Sequence, residues 1–135
     1  MQLTNERTAL IVVDRQNGFC HDRGSFAGLG LDSGDFVIDK SRCSSFYGTR
    51  LEPNLTSLGI TRLVVAGVTT NMCVETTVRD ALQRDHEVLV VGDACAELEE
   101  ERHRFALNTM GFGFARVVEV DDVVAAWAGA AVHSV

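Results

Sequence analysis

LVVAGVTTNMCVETTVRDA, residues 63–81, sets two periods back to back. Leu63 to Ala66 is a continuous apolar run rich in β-branched residues, which reads as a strand covered on both faces. From Asn71 onward Met72, Val74, Val78, Ala81 and Leu82 recur at helical spacing, so the pattern predicts a helix over 71–85. A buried strand running straight into an amphipathic helix is half of a βαβ unit, the unit from which parallel sheets are assembled. One thiol, Cys73, falls at the join.

The same alternation extends in both directions. Strands are predicted at TALIVVD (8–14), FVIDK (36–40), TRLVVAG (61–67), EVLVVGD (87–93) and ARVVEV (115–120). Helices are predicted at 51–58, ending at Gly59; at 97–110, with Leu98, Phe105, Ala106 and Met110 apolar and Gly111 as the stop; and at 121–132, opening on Asp121 and Asp122. The fold class is therefore α/β, a three-layer α/β/α arrangement around a mainly parallel, Rossmann-like sheet, in a single domain over 1–135. Residues 15–35 do not fit the alternation: they hold five glycines and no amphipathic period, a long connection for a compact domain.

Composition narrows the function. The 135 residues are 46% hydrophobic and 23% charged, as in ordinary soluble proteins, and no apolar run is long enough to span a bilayer. MQLTNERTAL lacks the basic and apolar blocks of a secretory signal, so the chain reads as cytoplasmic. A net charge of −7, with 12 scattered Lys and Arg, offers no basic stripe for nucleic acid. Cys20, Cys43, Cys73 and Cys95 form no CxxC pair, and His21, His86, His103 and His133 are scattered. No metal and no cofactor is expected.

Ligands of open parallel sheets bind at the carboxyl ends of the strands, where three residue types of chemical use occur. Asp14 ends the first strand, Lys40 the second, and Cys73 opens the helix after the third. A thiol at a helix N-terminus is expected to favour its thiolate. A carboxylate could take the thiol proton, and an ammonium could hold that carboxylate ionised.

TALIVVDRQNGFC, VIDKSRCSSFYGTRLEPNL and GVTTNMCVETTVRDALQRDHEVLVVGDACA, followed by HRFALNTMGFGFARVVEVDDVV, resemble the isochorismatase-like cysteine hydrolases. The likeness is to their amidohydrolase branch, which includes ureidoacrylate and biuret hydrolases, N-carbamoylsarcosine amidase and nicotinamidase. It implies Asp14 as general base, Lys40 as catalytic lysine and Cys73 as nucleophile, with a thioester acyl-enzyme. It also implies a cis peptide at Val68–Thr69, with the N–H groups of Thr69 and Cys73 forming an oxyanion hole. Phe19, Gln16 and Phe46 match positions that line or support the substrate pocket, and relatives are commonly dimers or tetramers. The substrate implied is a small amide, ureide or carbamoyl compound.

Only 25 residues separate Asp14 from Lys40, whereas relatives carry a much longer connection there. About one βα unit is thus expected to be missing, together with the region that holds the metal ligands of nicotinamidases. Two other readings stand beside amide hydrolysis. One is an isochorismatase proper, a vinyl ether hydrolase in which the position of Cys73 is commonly glycine. The other is a non-catalytic, shortened homologue acting in binding or assembly.

Overall fold

Four strands pair in chain order into one parallel sheet: β1 (Thr8–Val13), β2 (Arg62–Val68), β3 (Glu87–Ala96) and β4 (Arg116–Val118). The computed structural model describes residues 6–14 and 36–131. Between the strands lie α1 (Leu51–Ser57), a π-helical turn (Thr70–Val74) that continues into α2 (Glu75–Leu82), α3 (Glu100–Gly113) and, after β4, α4 (Val120–Ala131).

The continuous apolar runs are explained by cover on both faces. Leu63, Val65, Val88 and Val90 pack on one face with Leu51 and Leu55 of α1, Val78 and Ala81 of α2, and Ala106 and Met110 of α3. Val64, Leu89 and Val91 pack on the other with Val118, Val123 and Trp127. Each such Leu or Val taken from water contributes roughly 1.5–3 kcal/mol, so the paired central strands β2 and β3 are the most strongly held part of the sheet. The outer edge of β1 has no strand partner among the described residues, and Leu10 on it is 47% exposed.

The sequence predicted five strands, and the described residues form four. Residues 36–40 are unpaired chain in which Phe36 and Val37 are exposed. A strand needs a ladder partner, and here only Ile38 leans on the core, while Lys40 turns toward Asp14.

The third helix is also displaced. It starts at Glu100, runs past Gly111 to Gly113, and leaves Leu98 and Phe105 exposed rather than buried. Gly111 is not a stop: a Cβ there would come within 3.3 Å of Val117 Cγ2, so the missing side chain lets α3 lie close to β4. The helix ends where the N–H groups of Phe114 and Ala115 both donate to the Met110 carbonyl, at 2.9 and 2.8 Å. Gly59 does close α1 as predicted, at φ +65°, with the Ile60 N–H donating to the Leu55 carbonyl at 2.9 Å.

Candidate active site

The carboxyl ends of β1 and β2 meet at Val13 and Gly67, which are paired across the sheet. Gly67 has φ +127°, and a Cβ on it would sit 2.7 Å from the Val13 nitrogen, so only glycine lets the two strand ends close up. Each chain then turns out of the sheet into a functional side chain. Asp14 follows β1 with φ +53°, a left-handed conformation that Asp tolerates better than most residues and that ends the strand abruptly. After β2 the Val68–Thr69 peptide is cis, and the Thr69 carbonyl accepts from the N–H groups of Met72 and Val74, both at 3.2 Å, which closes the π-helical turn. Cys73 is the fourth residue of that turn.

Lys40 arrives on a loop. Its Nζ lies 2.6 Å from Asp14 Oδ1 and donates to the Arg42 carbonyl at 2.9 Å, with both members of the ion pair mostly shielded from water. The loop is held down by α2: Ser44 Oγ donates to Asp80 Oδ2 at 2.6 Å, and the Ser45 N–H donates to Thr77 Oγ1 at 3.0 Å. The helix that begins with the thiol therefore also anchors the loop that carries the ammonium.

The Asp14 carboxylate lies close enough to the Cys73 thiol to act on its proton both as an acceptor and as a charge. Burial, and then Asp14 in those two ways, push the thiol pKa from an ordinary 9.0 up to about 12, against a smaller lowering by Lys40. This corrects the expectation that the helix start alone would favour the thiolate. The direction of the shift favours the protonated thiol near neutral pH, beside a carboxylate placed to take its proton. Cys43, on the Lys40 loop, adds a small upward push and so lies within electrostatic reach of Cys73.

The structure thus brings Asp14, Lys40 and Cys73 together. It does not bring Phe46 to them. That ring is buried, stacked on His86 at 6.0 Å between centroids and covered by the Arg84 guanidinium. His86 precedes β3, at the amino end of a parallel sheet, whereas Cys73 follows β2 at the carboxyl end. Phe46 is accordingly a core residue rather than a pocket wall. Gln16, Phe19, Cys20 and His21 lie outside the described residues. An open groove of about 450 Å³ runs between Asn71 and Glu75 on one side and Arg102, Phe105 and Thr109 on the other; none of the three converging residues lines it.

Two contacts went unforeseen. Thr70 Oγ1 is 2.8 Å from His103 Nδ1, and the Asn71 N–H donates to Glu97 Oε2 at 3.3 Å. Nothing in the spacing of His103 or Glu97 pointed to the turn that holds Cys73.

A thiol, a carboxylate and an ammonium gathered at the carboxyl edge of a parallel sheet define an α/β protein with the elements of a nucleophilic site. The chain belongs to the isochorismatase family, whose Isochorismatase domain matches residues 26–122. It is 40% identical over 87 residues to Nicotinamidase 3 of Arabidopsis thaliana, covering 64% of this chain and 44% of that protein. It is also 40% identical over 90 residues to the ureidoacrylate amidohydrolase RutB of Methylobacterium radiotolerans, covering 66% and 35%. Among solved structures, an isochorismatase-like hydrolase from Alkaliphilus metalliredigens superposes with a TM-score of 0.70 at 35% identity, over 73% of this chain and 55% of that one. A cysteine hydrolase from Pseudomonas syringae pv. phaseolicola gives a TM-score of 0.72 at 28% identity, over 75% and 53%. The chain spans about half the length, or less, of these relatives.

Proposed function

We propose that this chain is a cysteine hydrolase that cleaves the C–N bond of a small amide, ureide or carbamoyl compound. The observation that carries the reading is the Asp14 carboxylate, paired with Lys40 at 2.6 Å and close enough to the Cys73 thiol to act on its proton. Two relatives named for amide hydrolysis, a nicotinamidase and a ureidoacrylate amidohydrolase, support it.

The chemistry follows from those three groups. Asp14 accepts the thiol proton as Cys73 Sγ bonds to the substrate carbonyl carbon, so the thiol's high pKa is overcome only when an electrophile is present. The N–H groups of Thr69 and Cys73 receive the developing oxyanion. Collapse breaks the C–N bond, and Asp14 returns the proton to the departing nitrogen, leaving a thioester and releasing ammonia or an amine. Asp14 then deprotonates water, which attacks the thioester to release the acid and restore the thiol. Lys40 holds the Asp14 carboxylate in place between steps, and its charge offsets the build-up of negative charge. Gln16 and Phe19 are assigned to the pocket that positions the amide.

A thiol at this position favours amide hydrolysis over vinyl ether cleavage, which needs no nucleophile. The exposed Leu10 and the outer edge of β1, unpaired among the described residues, suit a homo-oligomer. Ammonia release from nicotinamide, ureidoacrylate and carbamoyl amino acids, with Cys73→Ala as control, tests the reading. Turnover by the parent that is abolished in the variant is expected. Absence of turnover on the whole panel would instead favour a non-catalytic homologue.

A further inference from the structure

We infer that Thr70 and His103 are positioning residues for Cys73, acting through the turn that carries it. This rests on the reading of Cys73 as nucleophile. The turn Thr70–Val74 joins the end of β2 to the thiol, and the carbonyl that closes it belongs to Thr69, the residue just before it. Its far end is held by the helix it continues into and by buried Val74, and its first residues are held by polar contacts from Glu97, between β3 and α3, and from His103, in the first turn of α3.

Thr70 is completely buried, and its Oγ1 meets His103 Nδ1, in the first turn of α3, at 2.8 Å. Next to it the Asn71 N–H donates to Glu97 Oε2, while Glu97 Oε1 accepts from the Leu98 N–H at 2.9 Å, which keeps the carboxylate in place. Two successive residues of the turn are thus held by two residues of one neighbouring segment. A buried hydroxyl with a single well-aligned partner has few alternative arrangements, because losing that partner leaves it unsatisfied. Thr70 is three residues before Cys73, so a rotation of the turn would swing the thiol away from Asp14.

Thr70→Val removes the hydroxyl and keeps the shape; Thr70→Ser keeps the hydroxyl. His103→Ala removes the partner, and His103→Asn restores a polar atom near the Nδ1 position. For Thr70→Val and His103→Ala we expect kcat to fall about 10–100-fold with KM changed by less than about twofold, the signature of a misplaced reacting group. Thr70→Ser and His103→Asn should lie close to the parent.

A second readout needs no turnover. The pH profile of Cys73 alkylation by iodoacetamide, followed by peptide mass spectrometry, should move down toward an ordinary thiol in Thr70→Val and His103→Ala, because the thiol leaves the Asp14 carboxylate. Buried Cys95 serves as an internal control for general loosening, since it should label no faster. A parental alkylation profile in Thr70→Val would overturn the inference, as would Thr70→Ser behaving like Thr70→Val. If the parent turns over no amide, the nucleophile reading fails on its own, and the alkylation profiles still decide whether these residues place the thiol.

Discussion

Lys40 Nζ stands 2.6 Å from Asp14 Oδ1, although 25 residues of chain lie between them and the two belong to different parts of the fold. Carrying opposite charges, its members act on Cys73 with opposite signs: Asp14 raises the thiol pKa and Lys40 lowers it. Asp14→Asn should therefore shift the alkylation profile of Cys73 to lower pH, and Lys40→Met should shift it higher. Both should reduce amide turnover, Asp14→Asn by about 10²–10⁴-fold through loss of the base. Alkylation rates between pH 7 and 11 decide this; shifts in the same direction for both variants would contradict the arrangement.

Two thiols bind their protons more tightly in the folded chain than outside it. Burial pushes Cys95 from 9.0 up to about 12, opposed by a hydrogen bond from the Gly67 backbone, and Cys73 moves the same way. A raised folded pKa contributes stability that is complete below pH 9 and is lost as pH rises toward 12, because the unfolded thiols ionise first. Urea midpoints should accordingly be level between pH 7 and 8.5 and fall from about pH 9 upward. Cys95→Ala, which removes the more buried thiol, should flatten that decline even though it lowers the midpoint at neutral pH. An unchanged alkaline slope in Cys95→Ala would show that the thiol is not its source.

Glycine positions separate close approach from mere turn chemistry. Gly67→Ala combines a left-handed φ with collision against the Val13 backbone, and neither strand can move without breaking the β1–β2 ladder. A loss of at least about 3 kcal/mol, or failure to fold, is expected. Gly113→Ala meets nothing within 4 Å at the end of α3 and should be neutral or stabilising by up to about 1 kcal/mol. Denaturant titration of both variants is the check.

The parts of the fold legible in the sequence were those governed by local period. β2 and β3 read as buried strands because Leu63–Ala66 and Val88–Val91 are apolar on both faces, and α1 was bounded by Gly59 because a left-handed residue is needed there. Asp14, Lys40 and Cys73 were legible by resemblance and by their places beside strand ends. FVIDK failed because a β-branched run becomes a strand only where the chain lays it along a sheet edge, and here the segment instead carries Lys40 to Asp14, which composition does not record. Gly111 failed because a glycine serving helix–strand contact with Val117 has the same letter as one that ends a helix. The thiol's raised pKa failed because a helix start was weighed without the burial of the thiol and the upward pull of the carboxylate beside it. His103 and Glu97 were invisible, since their partners in the Cys73 turn are some 30 residues away along the chain.

Phe46 provides the sharpest contrast between pocket and core. As a pocket residue its truncation would raise KM and leave stability alone. The structure has it buried, packed with the Leu51, Leu55 and Val88 cluster, stacked on His86 and capped by Arg84. Arg84 is in turn 3.2 Å from Asp80, which holds Ser44, so removing the ring also loosens the loop that delivers Lys40. Phe46→Ala should cost about 3–5 kcal/mol, whereas Phe46→Leu should cost less because most of the volume is kept. In Phe46→Leu, KM for any amide turned over should stay within about twofold of the parent, and any loss should appear in kcat through Lys40. A several-fold rise in KM with an unchanged denaturation midpoint would return Phe46 to the pocket wall.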